Sequence, residues 1–194
     1  PGHYVYVRDD DTGQYWSVSW QPVGGDLDAA RYQVRHGLSY TCFACDRGGI
    51  HAEQLLFIPV ADDVELWDVR LRNDSGRLRR LSVFGYLEWS FQHVEIDNQN
   101  FQMSLYASGS SYADGIIEYD FFYEPWTYHF FTGDFAPDSF DAVRDTFLGP
   151  YRTETDPLAV ARGTCSGSTE LGGNHCGALH KRLSVEPDQE VRLT

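Results

Sequence analysis

The run Arg79-Arg80-Leu81-Ser82-Val83-Phe84-Gly85-Tyr86-Leu87-Glu88-Trp89-Ser90-Phe91 decides the fold class. Leu81, Val83, Gly85, Leu87, Trp89 and Phe91 recur at every second position, the spacing that puts side chains on one face of an extended chain. Phe84 and Tyr86 make the opposite face partly apolar as well. A strand that is apolar on both faces needs cover from both sides, which places it in the interior of a sandwich. Immediately upstream, residues 64–72 are also strand-like and are expected to pair with 79–91 around the turn Asn73-Asp74-Ser75-Gly76. There Val64 and Leu66 share one parity and Val69 and Leu71 the other, which predicts a bulge or face switch near Trp67-Asp68.

Further outward, strand-like runs alternate with turn residues. Tyr4-Val5-Tyr6-Val7-Arg8 leads into Asp9-Asp10-Asp11-Thr12-Gly13, and Tyr15–Trp20 follows, broken by Pro22 and Gly24-Gly25. Residues 32–45 and 50–58 flank Asp46-Arg47-Gly48-Gly49, a hairpin signal. Strands are predicted at 101–106, 116–123, 127–132 and 178–185, and loops at the polar 92–100, the Ser/Gly-rich 107–115 and the irregular 146–175. The only helix start is Pro137-Asp138-Ser139, with Asp138 or Ser139 as caps for one or two turns reaching about Asp145. The reading is an all-β chain, a large antiparallel β-sandwich with at most one or two short helices, forming one domain over 1–194. Pro1 without an initiator Met, and a close on Val191-Arg192-Leu193-Thr194 that reads as a strand cut midway, predict a portion of a longer protein truncated at both ends.

With 194 residues, 42% hydrophobic and 15% aromatic, the chain can bury a sizeable core. Its 29 acidic and 15 basic residues leave a net charge of -14, which repels nucleic acid and anionic membrane surfaces and suits a neutral ligand. No apolar run approaches the roughly 18 residues of a spanning helix. Cys42 and Cys45 form a C-x-x-C, with Cys165, His175 and Cys176 downstream. In a strand an offset of three puts the two thiols on opposite faces, so no metal site is expected.

Direct catalytic readings find little purchase. Asp9, Asp10, Glu88, Glu95, Asp97, Glu118, Asp120 and Asp145 could each be half of a glycosidase carboxylate pair, but 29 acids make adjacency uninformative. There is no G-x-S-x-G elbow, no Walker loop and no H-E-x-x-H, and His36, His93 and His175 read as structural or surface histidines. The densest unusual segment is Phe121-Phe122-Tyr123-Glu124-Pro125-Trp126-Thr127-Tyr128-His129-Phe130-Phe131. Sugars stack C–H faces on aromatic rings and offer hydroxyls to carboxylates, so the segment is either a carbohydrate platform or core filling. Pro125 should interrupt pairing and expose its neighbours, which makes Tyr123, Glu124 and Trp126 the candidate sugar contacts. A second dense stretch runs from Arg144-Asp145-Thr146-Phe147 to Arg152, where Arg144 and Asp145 are expected to lock buried backbone groups or to meet a partner.

In order along the chain, Tyr4-Val5-Tyr6-Val7-Arg8-Asp9-Asp10, Trp16, Trp20-Gln21-Pro22-Val23, Arg35-His36-Gly37-Leu38-Ser39-Tyr40-Thr41, Phe57-Ile58-Pro59-Val60, the Asn73 turn, Asn100-Phe101-Gln102, and Phe140-Asp141 with Arg144-Asp145-Thr146-Phe147-Leu148-Gly149 resemble the N-terminal domain of glycoside hydrolase family 94, the cellobiose, cellodextrin and chitobiose phosphorylases. That resemblance implies a supersandwich similar to galactose mutarotase, joined by a helical linker to an (α/α)6 barrel that carries the general acid and the phosphate site. It also implies a cytoplasmic bacterial enzyme with no cofactor, inorganic phosphate as co-substrate and a β-glucan oligosaccharide as substrate. The barrel would act in the same polypeptide, and the enzyme is expected to be a homodimer.

In such an enzyme phosphate replaces the water of an inverting hydrolase, so the chemical step needs one protein carboxylate. The sandwich would be noncatalytic, would shape the acceptor side, and would use Arg8, Asp9, Asp10, Arg35, His36, Arg144, Asp145 and Phe147 for structure or interfaces. Cellobiose-specific members resemble one another in an arginine-containing stretch where this chain has Tyr123-Glu124-Pro125-Trp126. The missing basic residues favour a cellodextrin or other β-glucoside phosphorylase. The alternatives from other classes are a freestanding carbohydrate-binding module and a plain dimerisation scaffold.

Overall fold

The computed structural model describes residues 2–27, 30–89, 107–122 and 127–194. Among them are thirteen strands: β1 (His3–Asp9), β2 (Tyr15–Ser17), β3 (Ala30–His36), β4 (Tyr40–Arg47), β5 (Ile50–Phe57), β6 (Leu66–Asn73), β7 (Arg79–Glu88), β8 (Ser108–Ala113), β9 (Ile116–Phe121), β10 (His129–Phe131), β11 (Ser139–Val143), β12 (His175–Val185) and β13 (Glu190–Leu193). Two five-residue helices, α1 (Arg144–Leu148) and α2 (Leu158–Arg162), complete the inventory. The chain forms two compact units, residues 4–83 with 182–194, and residues 84–181 with 1–3.

In the unit of residues 4–83 and 182–194, one sheet has the order β13-β6-β5-β4-β3, all antiparallel. Its register alternates cleanly. Cys45, Ala52 and Leu71 share one row and are buried, and Ile50 and Val69 lie on the same face. The opposite face carries charge: Asp68 accepts from Arg70 at 2.9 Å and Arg192 at 2.7 Å, and His51 meets Asp46 at 2.6 Å. This is the period-two pattern of a sheet with one core face. The same unit holds the antiparallel β1–β2 hairpin, with β1 beside the first half of β7.

The strand arrangement departs from the expected one at several points. Residues 32–45 are two strands, because Gly37-Leu38-Ser39 turns the chain: the Gly37 N–H donates to the Tyr40 carbonyl at 2.9 Å. β6 pairs with β5 and β13, so the proposed hairpin with 79–91 does not form. Asn73 instead makes a corner between sheets, its amide donating to the carbonyls of Arg77 and Val185 while its oxygen accepts from the Ser75 N–H and hydroxyl. The predicted bulge at Trp67-Asp68 is also absent, since the β5–β6 register is unbroken from Leu66 to Asn73. Asp68, ion-paired yet only 4% exposed, sits on the charged face with Leu66 at the strand end, so parity alone misjudged the face.

In the unit of residues 84–181 with 1–3, β10-β9-β8 form a three-stranded sheet, and β11 and β12 extend from the second half of β7. The Ser/Gly-rich 107–115, expected as loop, is strand β8 with a two-residue turn at Asp114-Gly115, whose φ values of 50° and 86° fit a primed hairpin turn. Residues 139–143, expected as helix, are strand β11, and the helical turn begins only at Arg144. The 146–175 connection contains α2. Ile117, Ala142 and Leu179 centre the core, with Tyr112, Phe131, Phe135 and Phe140 packed against them. Leu81, Val83, Phe84 and Tyr86 on β7 are all at most 5% exposed, so this strand is covered on both faces, as its pattern predicts. The predicted 101–106 strand and 92–100 loop, with Phe91, lie outside the described residues.

Candidate functional site

Tyr123, Glu124 and Trp126, the expected sugar contacts, also lie outside the described residues, as do His93, Glu95, Asp97 and Asn100-Phe101-Gln102. What is described of the aromatic segment divides by parity. Phe131 packs into the core around Ile117, whereas Phe122, Tyr128 and Phe130 are 51%, 87% and 53% exposed. Core filling therefore holds for Phe131, while Phe122, Tyr128 and Phe130 stand outside that core.

The Arg8-Asp9-Asp10 motif forms a charge-locked corner. Asp9, 5% exposed, accepts from Arg79 Nη2 and from the Asp11 N–H, each at 2.9 Å, and Arg79 Nη1 donates to the Gly48 carbonyl at 2.6 Å. Burial raises the Asp9 pKa, but the Asp11 amide and the Arg79 charge outweigh it and hold the carboxyl below its usual value. Arg8 pairs with Asp10, whose other oxygen accepts from Ser82 Oγ at 2.9 Å.

A second network is centred on Arg144, at the first position of α1. Its Nε donates to Glu88 at 2.9 Å and its Nη2 to Glu154, while the Tyr86 hydroxyl donates to the same Glu88 oxygen at 2.8 Å. Phe147 is fully buried and stacks on Tyr86 with ring centroids 4.6 Å apart. Burial pushes Glu88 up, yet the hydrogen bonds from Arg144 and Tyr86 and the arginine charge lower it to about 2. Arg144 thus ties β7, α1 and the loop before α2 through carboxylates rather than backbone groups. Asp145, with its side chain 78% exposed, takes no comparable part.

Asp141 was legible only as part of a motif, and its role could not be read locally. Fully buried on β11, it accepts from the N–H groups of Ser166 and Ser168 at 3.1 Å and from Ser168 Oγ at 2.7 Å. It holds the loop after α2 by its backbone amides. Burial raises its pKa, with those hydrogen bonds opposing. A general acid must release a proton to a reacting group near neutral pH. Asp9 and Glu88 are held as anions, and Asp141 is sealed from solvent, so these three carboxylates are organised to hold loops.

The cysteines are similarly withdrawn. Cys42 and Cys45 both lie on β4, three residues apart and so on opposite faces, and burial pushes the Cys45 thiol up to about 12. His175, at the start of β12, is 5% exposed, and burial lowers its pKa.

Arg35 and His36 fall on the exposed edge strand β3, where His36 Nδ1 and Thr41 Oγ1 are 3.1 Å apart across the turn. A Cβ built on Gly37 would lie 2.2 Å from Tyr40 Cε1, so only glycine lets the Tyr40 ring lie against the turn. Leu38, in the same turn, is fully exposed. The register pairs Tyr40 with Phe57 and Phe57 with Leu66, which brings the 35–41 and 57–60 motifs to one end of the sheet.

Among the described residues no helix is long and apolar enough to cross a membrane. The family model for "Glycosyl hydrolase 94, supersandwich domain" matches residues 1–194. The chain is 52% identical over 196 residues to an N,N'-diacetylchitobiose phosphorylase of Vibrio proteolyticus, covering 100% of this chain and 24% of that protein. The corresponding phosphorylase of Vibrio furnissii is also 52% identical, with the same coverage. A solabiose phosphorylase of Paenibacillus borealis is 31% identical over 97% of this chain and 24% of its own length. The chain therefore spans about a quarter of the length of these curated relatives. An all-β chain of antiparallel sheets, matched from end to end by that model, belongs to the glycosyl hydrolase 94 supersandwich-domain family.

Proposed function

We propose that the chain is the noncatalytic N-terminal module of an inverting glycoside phosphorylase, and that the sugar it serves is a β-linked disaccharide of the N,N'-diacetylchitobiose type. The observation carrying this reading is the end-to-end match at 52% identity to two phosphorylases of that substrate, against 29% to a cellobionic acid phosphorylase of Neurospora crassa. The reading replaces a glucosyl with an N-acetylglucosaminyl substrate and keeps the chemistry. A carboxylic acid in a domain of the same polypeptide protonates the glycosidic oxygen, and phosphate attacks the anomeric carbon from the opposite face. The module shapes the acceptor side and supports dimer contacts. The cytoplasm is the compartment this chemistry favours, because a charged sugar phosphate stays where it is made.

The test is an assay of the full-length protein with N,N'-diacetylchitobiose and with cellobiose, each with and without phosphate. Phosphate-dependent release of N-acetylglucosamine 1-phosphate from the former is expected. Sugar release without phosphate would refute the phosphorylase reading, and a preference for cellobiose would refute the substrate.

One observation favours a second reading, a carbohydrate-binding surface. Tyr128 and Phe130 point outward from or beside β10, and Phe130 pairs across the sheet with Glu118, whose carboxylate accepts from Ser111 at 3.3 Å. Aromatic faces beside carboxylates suit sugar stacking. Calorimetric titration of the chain with chitin and cellulose oligosaccharides tests it, and no heat at millimolar sugar would dismiss it.

A further inference from the structure

The exposed apolar end of the β13-β6-β5-β4-β3 sheet has no explanation in the packing of its own unit. Leu38 and Val60 are fully exposed, Ile58 is 59% exposed and Tyr40 39%. The turn that presents Leu38 is built rather than slack: the Gly37–Tyr40 backbone bond closes it, the Tyr40 ring lies on Gly37, and His36 meets Thr41 across its base. A turn that only reverses the chain has no need to hold a leucine in water, and grouped exposed apolar residues mark interaction surfaces. Two separate segments that carry the family resemblance, Arg35–Thr41 and Phe57–Val60, converge on this one end.

The geometry points to one occupant. We infer that this end is the seat of the domain that follows in the same polypeptide, an inference that rests on reading the chain as one module of a longer enzyme. β13 runs antiparallel to β6, pairing Glu190 with Arg72 and Leu193 with Val69, so it advances toward the Leu66 end of the sheet. Leu66 stands in the row of Phe57 and Tyr40. β13 is thus directed at the end that carries the exposed residues. The relatives contain about three quarters of their length beyond what this chain matches, ample to cover it. Arg35 and His36 supply a polar rim beside the apolar centre, the usual anatomy of an interface.

The experiment uses the full-length protein with Leu38→Cys, Val60→Cys or Glu186→Cys, Glu186 being exposed in the β12–β13 turn at the other end of the sheet. Maleimide labelling is timed against the wild-type background over a dilution series, with phosphorolysis measured on the same samples. Leu38→Cys and Val60→Cys are expected to label about tenfold or more slowly than Glu186→Cys at every dilution, because an interface core excludes solvent. Labelling of both at the Glu186→Cys rate in a protein that still performs phosphorolysis overturns the seat and leaves the phosphorylase reading intact. Protection that vanishes on dilution to monomer assigns the end to a second copy and also overturns the proposal. Failure of the wild-type protein to use phosphate defeats the underlying reading instead, and does so independently of the labelling.

Discussion

Replacing Arg144 with methionine removes the cation shared by Glu88 and Glu154 while keeping most of the side-chain volume. The Glu88 side chain is 14% exposed and the Arg144 side chain 26%, so the interaction is little screened. Its strength can be sized from Glu88, which falls from 4.5 to about 2 in the folded chain. At about 1.4 kcal/mol per pH unit this corresponds to about 3 kcal/mol for the Glu88 site as a whole, in which Arg144 is the largest favourable contributor and Tyr86 the next. The sign follows from the direction of the shift. A carboxyl held below its unfolded value contributes fully above pH 4.5, and that contribution is lost as pH falls toward about 2. In Arg144→Met, burial and the Glu154 carboxylate remain without the cation, so Glu88 rises and its charge becomes a liability at neutral pH. Urea unfolding of the 194-residue chain should place Arg144→Met about 3 kcal/mol below wild type at pH 7, with the gap narrowing by about 1 kcal/mol or more at pH 3.5. Adding Glu88→Gln should recover part of the loss, since no buried charge is then left unpaired. A loss under about 1 kcal/mol at pH 7, or a gap that stays level between the two pH values, refutes this account of the network.

Two further outcomes are expected. Asp141→Ala strips the acceptor from the part-buried Ser166 and Ser168 amides at a cost of about 1–3 kcal/mol, and limited proteolysis should first cut near residues 164–173; cleavage first elsewhere would count against the clamp. The four native thiols, all at most 7% exposed, should resist a disulfide reagent until urea unfolds the chain, and prompt reaction of any in the native state would contradict their burial.

Much of the β character was legible because strand patterning is local. β7 alternates and is apolar on both faces within ten residues, and β4 and β5 declare their hairpin through Gly48-Gly49. The failures share a different cause. β8 is rich in serine and glycine, so its own side chains carry no strand signal, and its pairing with β9 supplies the structure. The reading of Pro137-Asp138-Ser139 as a helix start failed because Ser139–Val143 found a partner in β12. The Asn73 turn misled for a related reason: a polar turn between two strands looks like a hairpin whether the chain returns to the same sheet or moves to another.

The site residues divide along the same line. Arg8, Asp9 and Asp10 were recognisable, but Arg79, the partner that fixes Asp9, lies 70 residues away. Arg144 was recognisable too, yet its partners Glu88 and Glu154 are 56 and 10 residues distant. The Tyr40 ring lies against Gly37 in the turn that carries the exposed Leu38, a contact that no composition or period records.

By itself the sequence determined an all-β chain with little helix, acidic overall, and a family membership carried by motifs in order. Those properties are sums over residues or short-range periods, which survive without knowledge of contacts. Only the tertiary structure decided which strands share a sheet, which carboxylates are neutralised by which arginines, and which motif residues face water. Each of these depends on pairing between segments distant along the chain, where the energy of contact outweighs local preference.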